Sequence, residues 1–380
     1  MSEEYKKRLE AYKNGELSKE EAEEIERDLE KMEQYFQVFE EAEIGNPHQA
    51  APLLIDSKKQ RRIVRRGKWI ARLQTALTAL GLIILFTILS SIFTAVYYAW
   101  GTPDRTDVYR NIIDLTLTVT DPYGQYSGTS TATKPYFGLE TTTDIEKRVG
   151  DEIYKTGEYK TNFFFSLMGV PEKKTQGVIS QQQASFSFLP KESSPSEWKR
   201  LEKVKNGTVA SVYLSFSELL STNKVFDYLK DRNVEIIWFA VDTGVENRDE
   251  FGIDPIGFPN TPIWHDDDMI TDSTEKEGNF WFSIESSSSS SPEYTEGDAE
   301  ILHKQFLKTL TFLKPYEKKA ENFYFGHLEL NKRIAYMKKH GINHYGVVIT
   351  GPTEEILKLK KENWIRAIHI DEIGFWNWDE

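Results

Sequence analysis

From Leu73 to Trp100 the chain carries no charged side chain, and Leu77 to Tyr98 is almost wholly apolar. An α-helix rises 1.5 Å per residue, so about 20 such residues cross the roughly 30 Å hydrocarbon core of a bilayer. A single transmembrane helix over 73–100 is therefore predicted. Lys58, Lys59, Arg61, Arg62, Arg65, Arg66, Lys68 and Arg72 precede it with no acid among them. The positive-inside rule keeps such a cluster in the cytoplasm, which directs the N-terminus inward and the C-terminal portion outside the cell. Arg65, Arg66, Lys68, Trp69 and Arg72 on one side and Tyr97, Tyr98 and Trp100 on the other are the expected anchor flanks, the aromatic rings favouring the headgroup region. A cleaved signal peptide would put its apolar core within the first ~15–30 residues, which here are acidic with helical spacing. A buried helix of a soluble core fits poorly, because such helices rarely run this long without a charge.

Cutting the chain at the span separates its charges into blocks. Residues 1–56 hold 7 basic and 16 acidic side chains, net −9; residues 57–72 hold 8 basic and none acidic; residues 101–380 hold 32 and 44, net −12. An acidic inner head (1–56), a basic juxtamembrane neck (57–72), the span (73–100), a β-rich outer region (101–205) and an outer α+β domain (206–380) follow. Orientation and anionic lipid account for the neck, at roughly 1 kcal/mol per basic residue near the surface, so no direct contact with nucleic acid is expected. With no cysteine, disulfides and Cys-ligated zinc are impossible. The outer part is long enough to bury a core without them.

In the head, Tyr5, Leu9 and Tyr12 recur at helical spacing until Asn14-Gly15. Ser18 with Glu21 reads as a capping box, after which Ile25, Leu29, Met32, Phe36 and Phe39 repeat until Gly45-Asn46-Pro47. Two helices of this size bury too little apolar surface to fold firmly alone, so the stripe needs a partner. That partner is either a second copy in a coiled coil or a different cytosolic protein. The surrounding Glu20, Glu23, Glu24, Glu26, Asp28 and Glu30 read either as a solvated face or as a surface suited to a basic, DNA-binding partner.

Outside, Ile113, Leu115, Leu117 and Val119 alternate as a strand does, and further strands are expected at 162–168 and 184–189. Asn206-Gly207-Thr208 reads as a turn before a strand. Val209–Phe216, Thr222–Lys230 and Val234–Val241 form one strand–helix–strand unit, and Tyr345–Ile349, Pro352–Lys361 and Ile365–Ile370 a second. Helices near 299–312 and 328–340 join them, giving an α+β sheet for which a ferredoxin-like sandwich is one topology. Phe251–Pro262 and the run Ser286–Ser291 read as loops, the second disordered.

No residue set points to catalysis or to a cofactor. His265-Asp266-Asp267-Asp268 lacks the staggered ligands and glycine of a calcium loop and reads as a solvated loop, so no metal is expected. Gly351-Pro352 lacks the Lys and further glycines of a phosphate loop and reads as a helix entry with Pro at its first position. His303, His327, His340, His344 and His369 are scattered. Phe375, Trp376 and Trp378 read as a packed C-terminal strand edge rather than a ligand-stacking platform, although either gives the same sequence.

The run Tyr12-Lys13-Asn14-Gly15-Glu16-Leu17-Ser18-Lys19-Glu20-Glu21, followed by Ile25-Glu26 and Leu29-Glu30, resembles the opening of membrane-anchored anti-sigma factors of bacteria. The zinc-binding version of that domain needs cysteines this chain lacks, so only the helical framework carries over. The order of head, span and outer domain is similar to the Bacillus-type sigma factor regulator family. So are the segments 206–215, Pro255-Ile256-Gly257-Phe258-Pro259, 345–353 and Trp376-Asn377-Trp378. The resemblance implies sequestration of a sigma-M-like extracytoplasmic-function sigma factor at the membrane until an envelope signal releases it. It further implies that Leu9, Tyr12, Leu17, Ile25, Leu29, Met32, Phe36 and Phe39 insert between the sigma factor's helical domains. In the family a second small membrane protein assists, and Ser90, Ser91 and Thr94 offer it hydroxyls; the same hydroxyls equally bond back to their own helix. The competing reading is an envelope-assembly or adhesion protein that works through its outer domain, with the head only anchoring or dimerising.

Overall fold

The computed structural model describes residues 11–12, 14–15, 17–44, 57–175, 184–246, 255–279 and 282–375, with the side chains of 38–60 and 275–286 outside the description. The chain forms two compact units, Met1–Gly81 and Leu82–Glu380.

In the first unit the capping box forms as expected. The Ser18 backbone N–H and hydroxyl donate to Glu21 Oε2 at 3.0 and 2.6 Å, and the Glu21 N–H points back to Ser18 Oγ at 3.5 Å. Helix α1 (Lys19–Ile44) starts there; the stop expected at Gly45-Asn46-Pro47 lies outside the described residues. Gly15 takes a φ of +72° and its N–H bonds the Tyr12 carbonyl at 3.1 Å, the expected turn. Tyr5 and Leu9 lie outside the described residues.

Helix α2 (Ser57–Tyr98) is unbroken over 42 residues, so the basic neck is helical too and the helix ends two residues before Trp100. Within it Arg61–Tyr98 is long and apolar enough to cross a membrane. Thr75, Thr78 and Thr87 hydroxyls donate to carbonyls four residues back at 3.0, 3.0 and 2.8 Å, bonds made within the helix itself.

In the second unit the predicted strand at Ile113–Val119 is instead helix α3 (Arg105–Thr120), capped by Asp104, whose side chain accepts the Asp107 N–H at 2.8 Å. Its buried Tyr109, Ile112, Ile113, Thr116, Leu117 and Thr120 follow helical spacing, and burial on several sides lets an alternating pattern coexist with it. Thr116, Thr118 and Thr120 donate to the carbonyls four residues back at 2.5, 2.8 and 2.7 Å. These bonds satisfy β-branched residues that sequence alone assigns to a strand.

An antiparallel sheet follows: β1 (Thr129–Lys134), β2 (Gly138–Val149), β3 (Glu152–Phe164) and β4 (Leu167–Met168) in spatial order, with β5 (Glu172–Thr175) also on β3. Only part of the strand expected at 162–168 is continuous, because Phe165 turns the chain with a φ of +53°. The 184–189 segment forms no strand. It lies across the next sheet, with the Ser187 N–H on Ser215 Oγ at 3.0 Å and the Phe186 ring against Tyr213 and Trp238.

After helix α4 (Pro195–Leu201) come β6 (Thr208–Leu220), α5 (Thr222–Leu229), β7 (Glu235–Val241) and the short edge strand β8 (Gly257–Pro259). Gly257 is required there, since a Cβ would strike the Phe239 carbonyl. The hairpin β9 (Ile270–Asn279) and β10 (Phe282–Ser290) takes up most of the serine run, where composition predicts a disordered loop. Backbone pairing needs no apolar side chain, and Ser288 Oγ meets Ser273 Oγ at 2.7 Å. Helices α6 (Ala299–Leu313), α7 (Glu317–Tyr324) and α8 (Leu330–His340) lead to β11 (His344–Pro352), α9 (Thr353–Lys358) and β12 (Ile365–Phe375). Pro352 caps α9 rather than occupying its first turn.

The main sheet is antiparallel in the order β12, β6, β11, β7, β8. Each strand–helix–strand unit contributes two parallel strands that are not neighbours: β11 lies between β6 and β7, and β6 between β11 and β12. Because β6 is covered on both faces, Thr208–Phe216 is buried without interruption. One core joins the sheet to Leu302, Phe306, Leu310 and Met337 of the helices; a second on the other face gathers Tyr123, Tyr213, Trp238 and Tyr345. The Trp238 indole donates to the Thr118 carbonyl at 3.0 Å. The Arg148 guanidinium grips the Glu235 carboxylate through two bonds of 2.5 Å. Residues 101–205 and 206–380 thus share one unit.

Candidate functional site

The predicted apolar stripe of the head divides into a covered and an open part. Ile25 is only 1% exposed and is the head's own core, so it is not available at the surface. Tyr12, Leu17 and Leu29 are half-buried. Met32 and Phe36 are 39% and 70% exposed and stand free on α1. Leu9 lies outside the described residues, and so does the side chain of Phe39. Sequence reading missed Tyr35, which is 66% exposed beside Phe36; its spacing of three from Met32 is the signal that places it on the same ridge. The Tyr12 hydroxyl donates to Glu26 Oε1 at 2.8 Å, and that bond raises the tyrosine pKa. Glu23, Glu26, Glu30 and Glu33 keep the rest of α1 acidic and exposed.

At the other end of α2, the expected anchor flanks separate in the same way. Trp69 and Trp100 are exposed at 67% and 68%, but Tyr98 is buried within the outer domain and is no free interfacial ring. Tyr97 packs under the Arg105 guanidinium, 4.4 Å from its ring centre. Arg65, Arg66, Lys68 and Arg72 are exposed along the neck. Ser90, Ser91 and Thr94 are engaged within the chain. Ser91 donates to the Thr87 carbonyl at 2.8 Å and Thr94 to the Ser90 carbonyl at 2.7 Å. The Tyr136 and Phe137 N–H groups donate to Ser90 Oγ and Thr94 Oγ1 at 2.6 and 2.9 Å.

The polar groups of the outer domain hold the fold. Arg333 and Glu246, 3% and 2% exposed, pair at 3.0 Å. The same carboxylate takes the Thr243 and Val245 N–H groups at 2.8 and 3.1 Å and the Thr243 hydroxyl, which clips the loop after β7 onto α8. Thr222 Oγ1 sits between His303 Nε2 at 2.6 Å and His344 Nε2 at 2.7 Å. Burial lowers both histidine pKa values, that of His344 to about 3, so both are neutral at pH 7. In the His265–Asp268 segment, the Lys308 ammonium bonds Asp267 and Asp268, each at 2.7 Å, and His265 Nε2 meets Thr309 Oγ1 at 2.9 Å. It is a short 3₁₀ turn tied to α6 rather than a solvated loop. Among the described residues no group of three or more His, Asp or Glu could hold a metal. Phe375 ends β12 at 82% exposure, so it is not packed as expected; Trp376 and Trp378 lie outside the described residues.

The family model described as "Sigma factor regulator N-terminal" matches residues 61–154, and the one described as "Sigma factor regulator C-terminal" matches residues 201–372. The chain is 26% identical over 387 aligned residues, covering 100% of both proteins, to the probable anti-sigma-M factor YhdL of Bacillus subtilis (strain 168). No solved structure matches. One model covers the basic helix, the span and the first outer strands, the other the main sheet with its helices, in the order the family resemblance requires. The chain belongs to the sigma factor regulator family.

Proposed function

We propose that this chain is an anti-sigma factor that holds an extracytoplasmic-function sigma factor inactive at the cytoplasmic face of the membrane. The observation that carries the reading is the open ridge Met32, Tyr35 and Phe36 on an acidic helix. It belongs to a chain whose full length aligns with a protein named a probable anti-sigma-M factor. Fully burying an apolar side chain of this size stabilises a complex by about 1.5–3 kcal/mol, so three neighbouring ones make a strong dock for a partner's groove. Leu29 continues the ridge on α1, half-buried Tyr12 and Leu17 and buried Ile25 support it from within the head, and the resemblance adds Leu9 and Phe39 to the sigma-binding set. The carboxylates around them face the sigma factor's basic DNA-contacting surface. Sequestration then works by mass action, and release needs only a change that weakens the head's grip. No step requires catalysis by this chain.

The basic neck sets the head inside and the sheet outside, and the relative's printed name favours a sigma-M-like partner. Ser90 and Thr94 accept from the outer domain. An assisting small membrane protein therefore meets the opposite helix face, where Leu85, Ile88, Ile92 and Val96 are exposed. For the outer domain the split of two strand–helix–strand units in the order β12, β6, β11, β7 supports a ferredoxin-like sandwich with long insertions after β7. The test is a sigma-dependent reporter in cells carrying Phe36→Asp or Leu29→Asp at normal protein level. Derepression is expected; unchanged repression with both would remove this surface from the mechanism.

A further inference from the structure

Beside the C-terminal part of α2, the outer domain ends in an apolar tip with several large side chains exposed. Two turns build it, Pro135-Tyr136-Phe137 between β1 and β2 and Phe165-Ser166 between β3 and β4. The Phe137 and Phe165 rings stack at 4.4 Å. Tyr136, Phe164, Leu167 and Val170 stand outward at 54%, 55%, 68% and 77% exposure, an apolar patch that a water-facing hairpin has no reason to carry.

Several backbone groups of the tip are paired within the protein. Pro135 has no N–H, and the N–H groups of Tyr136 and Phe137 go to the Ser90 and Thr94 hydroxyls at 2.6 and 2.9 Å. The Phe165 N–H goes to the Phe137 carbonyl at 3.0 Å. The Tyr98 hydroxyl lies 3.0 and 3.1 Å from the Phe137 and Phe165 carbonyls. In water these groups need no such partners; in hydrocarbon each unpaired one costs several kcal/mol. The height agrees as well. About 20 residues fill the hydrocarbon core, and counted from Leu73 they end at Ile92. Tyr136 Oη meets Thr87 Oγ1 at 2.8 Å and its backbone meets Ser90, both below that level, while Thr94 lies just above it.

We infer that this tip enters the outer leaflet, and that its ligand is the acyl-chain and headgroup boundary of the bilayer, which Tyr136, Phe164 and Leu167 contact directly. The outer domain is then fastened to the membrane at two points, helix and tip. The inference goes beyond sigma-factor binding and rests on the membrane placement of α2.

Because the chain has no cysteine, single-cysteine variants of the full chain can each carry one fluorophore in lipid vesicles. Phe164→Cys and Leu167→Cys report the tip, Ile88→Cys the helix and Lys191→Cys the exposed outer surface. With acyl chains spin-labelled near the headgroup, the tip labels are expected to lose emission as Ile88→Cys does and to ignore aqueous iodide, while Lys191→Cys responds only to iodide. Tip labels quenched by iodide and not by lipid would overturn the inference. So would tip labels quenched by neither while Ile88→Cys responds to lipid, since the tip would then be covered by protein. If Ile88→Cys itself is blind to lipid, the membrane reading of α2 falls with it.

Discussion

The head and the outer domain handle apolar residues in opposite ways. The outer domain covers Phe216, Phe239, Phe258 and Phe306 completely between a sheet and its helices, whereas among the head's described side chains Ile25 is covered to that degree and Met32, Tyr35 and Phe36 are left open. The difference follows from size. A five-stranded sheet can be wrapped on two faces, but a single long amphipathic helix such as α1 offers one contact line and leaves the rest of its stripe outside. The outer domain therefore has stability of its own, and the head's remaining stability is available only on binding.

The largest effect expected from breaking this contrast is at the buried clip of the outer domain. Arg333→Ala leaves the Glu246 carboxylate buried without its guanidinium, which should cost about 3–5 kcal/mol. Thermal unfolding of the detergent-solubilised full chain would read it as a large fall in the outer domain's melting temperature, with the helicity of the head unmoved. A loss under 1 kcal/mol would mean that the pair is not closed as described.

Acid should act on the same region. His344 is neutral in the fold with its pKa lowered to about 3 by burial, against about 6.5 unfolded. The unfolded chain therefore takes up a proton first as pH falls. Stability is full above pH 6.5 and declines by roughly 1.4 kcal/mol per pH unit until the folded histidine itself titrates. Melting curves at pH 7.5 and 5 should show this loss, and His344→Gln should remove about one proton's worth of the slope.

The head responds more weakly. Ser18→Ala removes a capping-box hydroxyl, worth about 1 kcal/mol, and should speed amide exchange over the first turns of α1 while the sheet stays protected. Smallest of all is Tyr35→Ser. At 66% exposure it should move stability by less than about 0.5 kcal/mol, yet it should weaken partner binding. A stability loss beyond that would show the ridge packed within the chain.

Legibility in the sequence tracked the same division. The capping box, a long apolar helix and both strand–helix–strand units rest on local signals, and each falls where its residues put it. Helix α3 was not legible because its core side is broad: Ile113, Leu115, Leu117 and Val119 alternate, while Tyr109, Ile112, Thr116 and Thr120 complete a helical pattern that only tertiary packing selects. The serine strand was hidden because backbone pairing, not side-chain hydrophobicity, holds it to β9. Helix α7 has only Ala320 and Phe323 buried, too few for a period. In the ridge, spacing named Met32 and Phe36, but it gives Ile25 the same periodicity and so does not reveal that this side chain is 1% exposed. The engagement of Ser90 and Thr94 by a hairpin more than 40 residues away has no local signature at all.

The most direct measurement is binding of a sigma-M-type sigma factor to the detergent-solubilised full chain, compared with the Tyr35→Asp, Phe36→Asp double variant. A complex with the native chain, weakened by at least about 2 kcal/mol or roughly thirtyfold in the variant with unchanged unfolding of the outer domain, is the predicted result. Undiminished binding by the double variant, or equal binding by a chain lacking residues 1–56, would contradict the account.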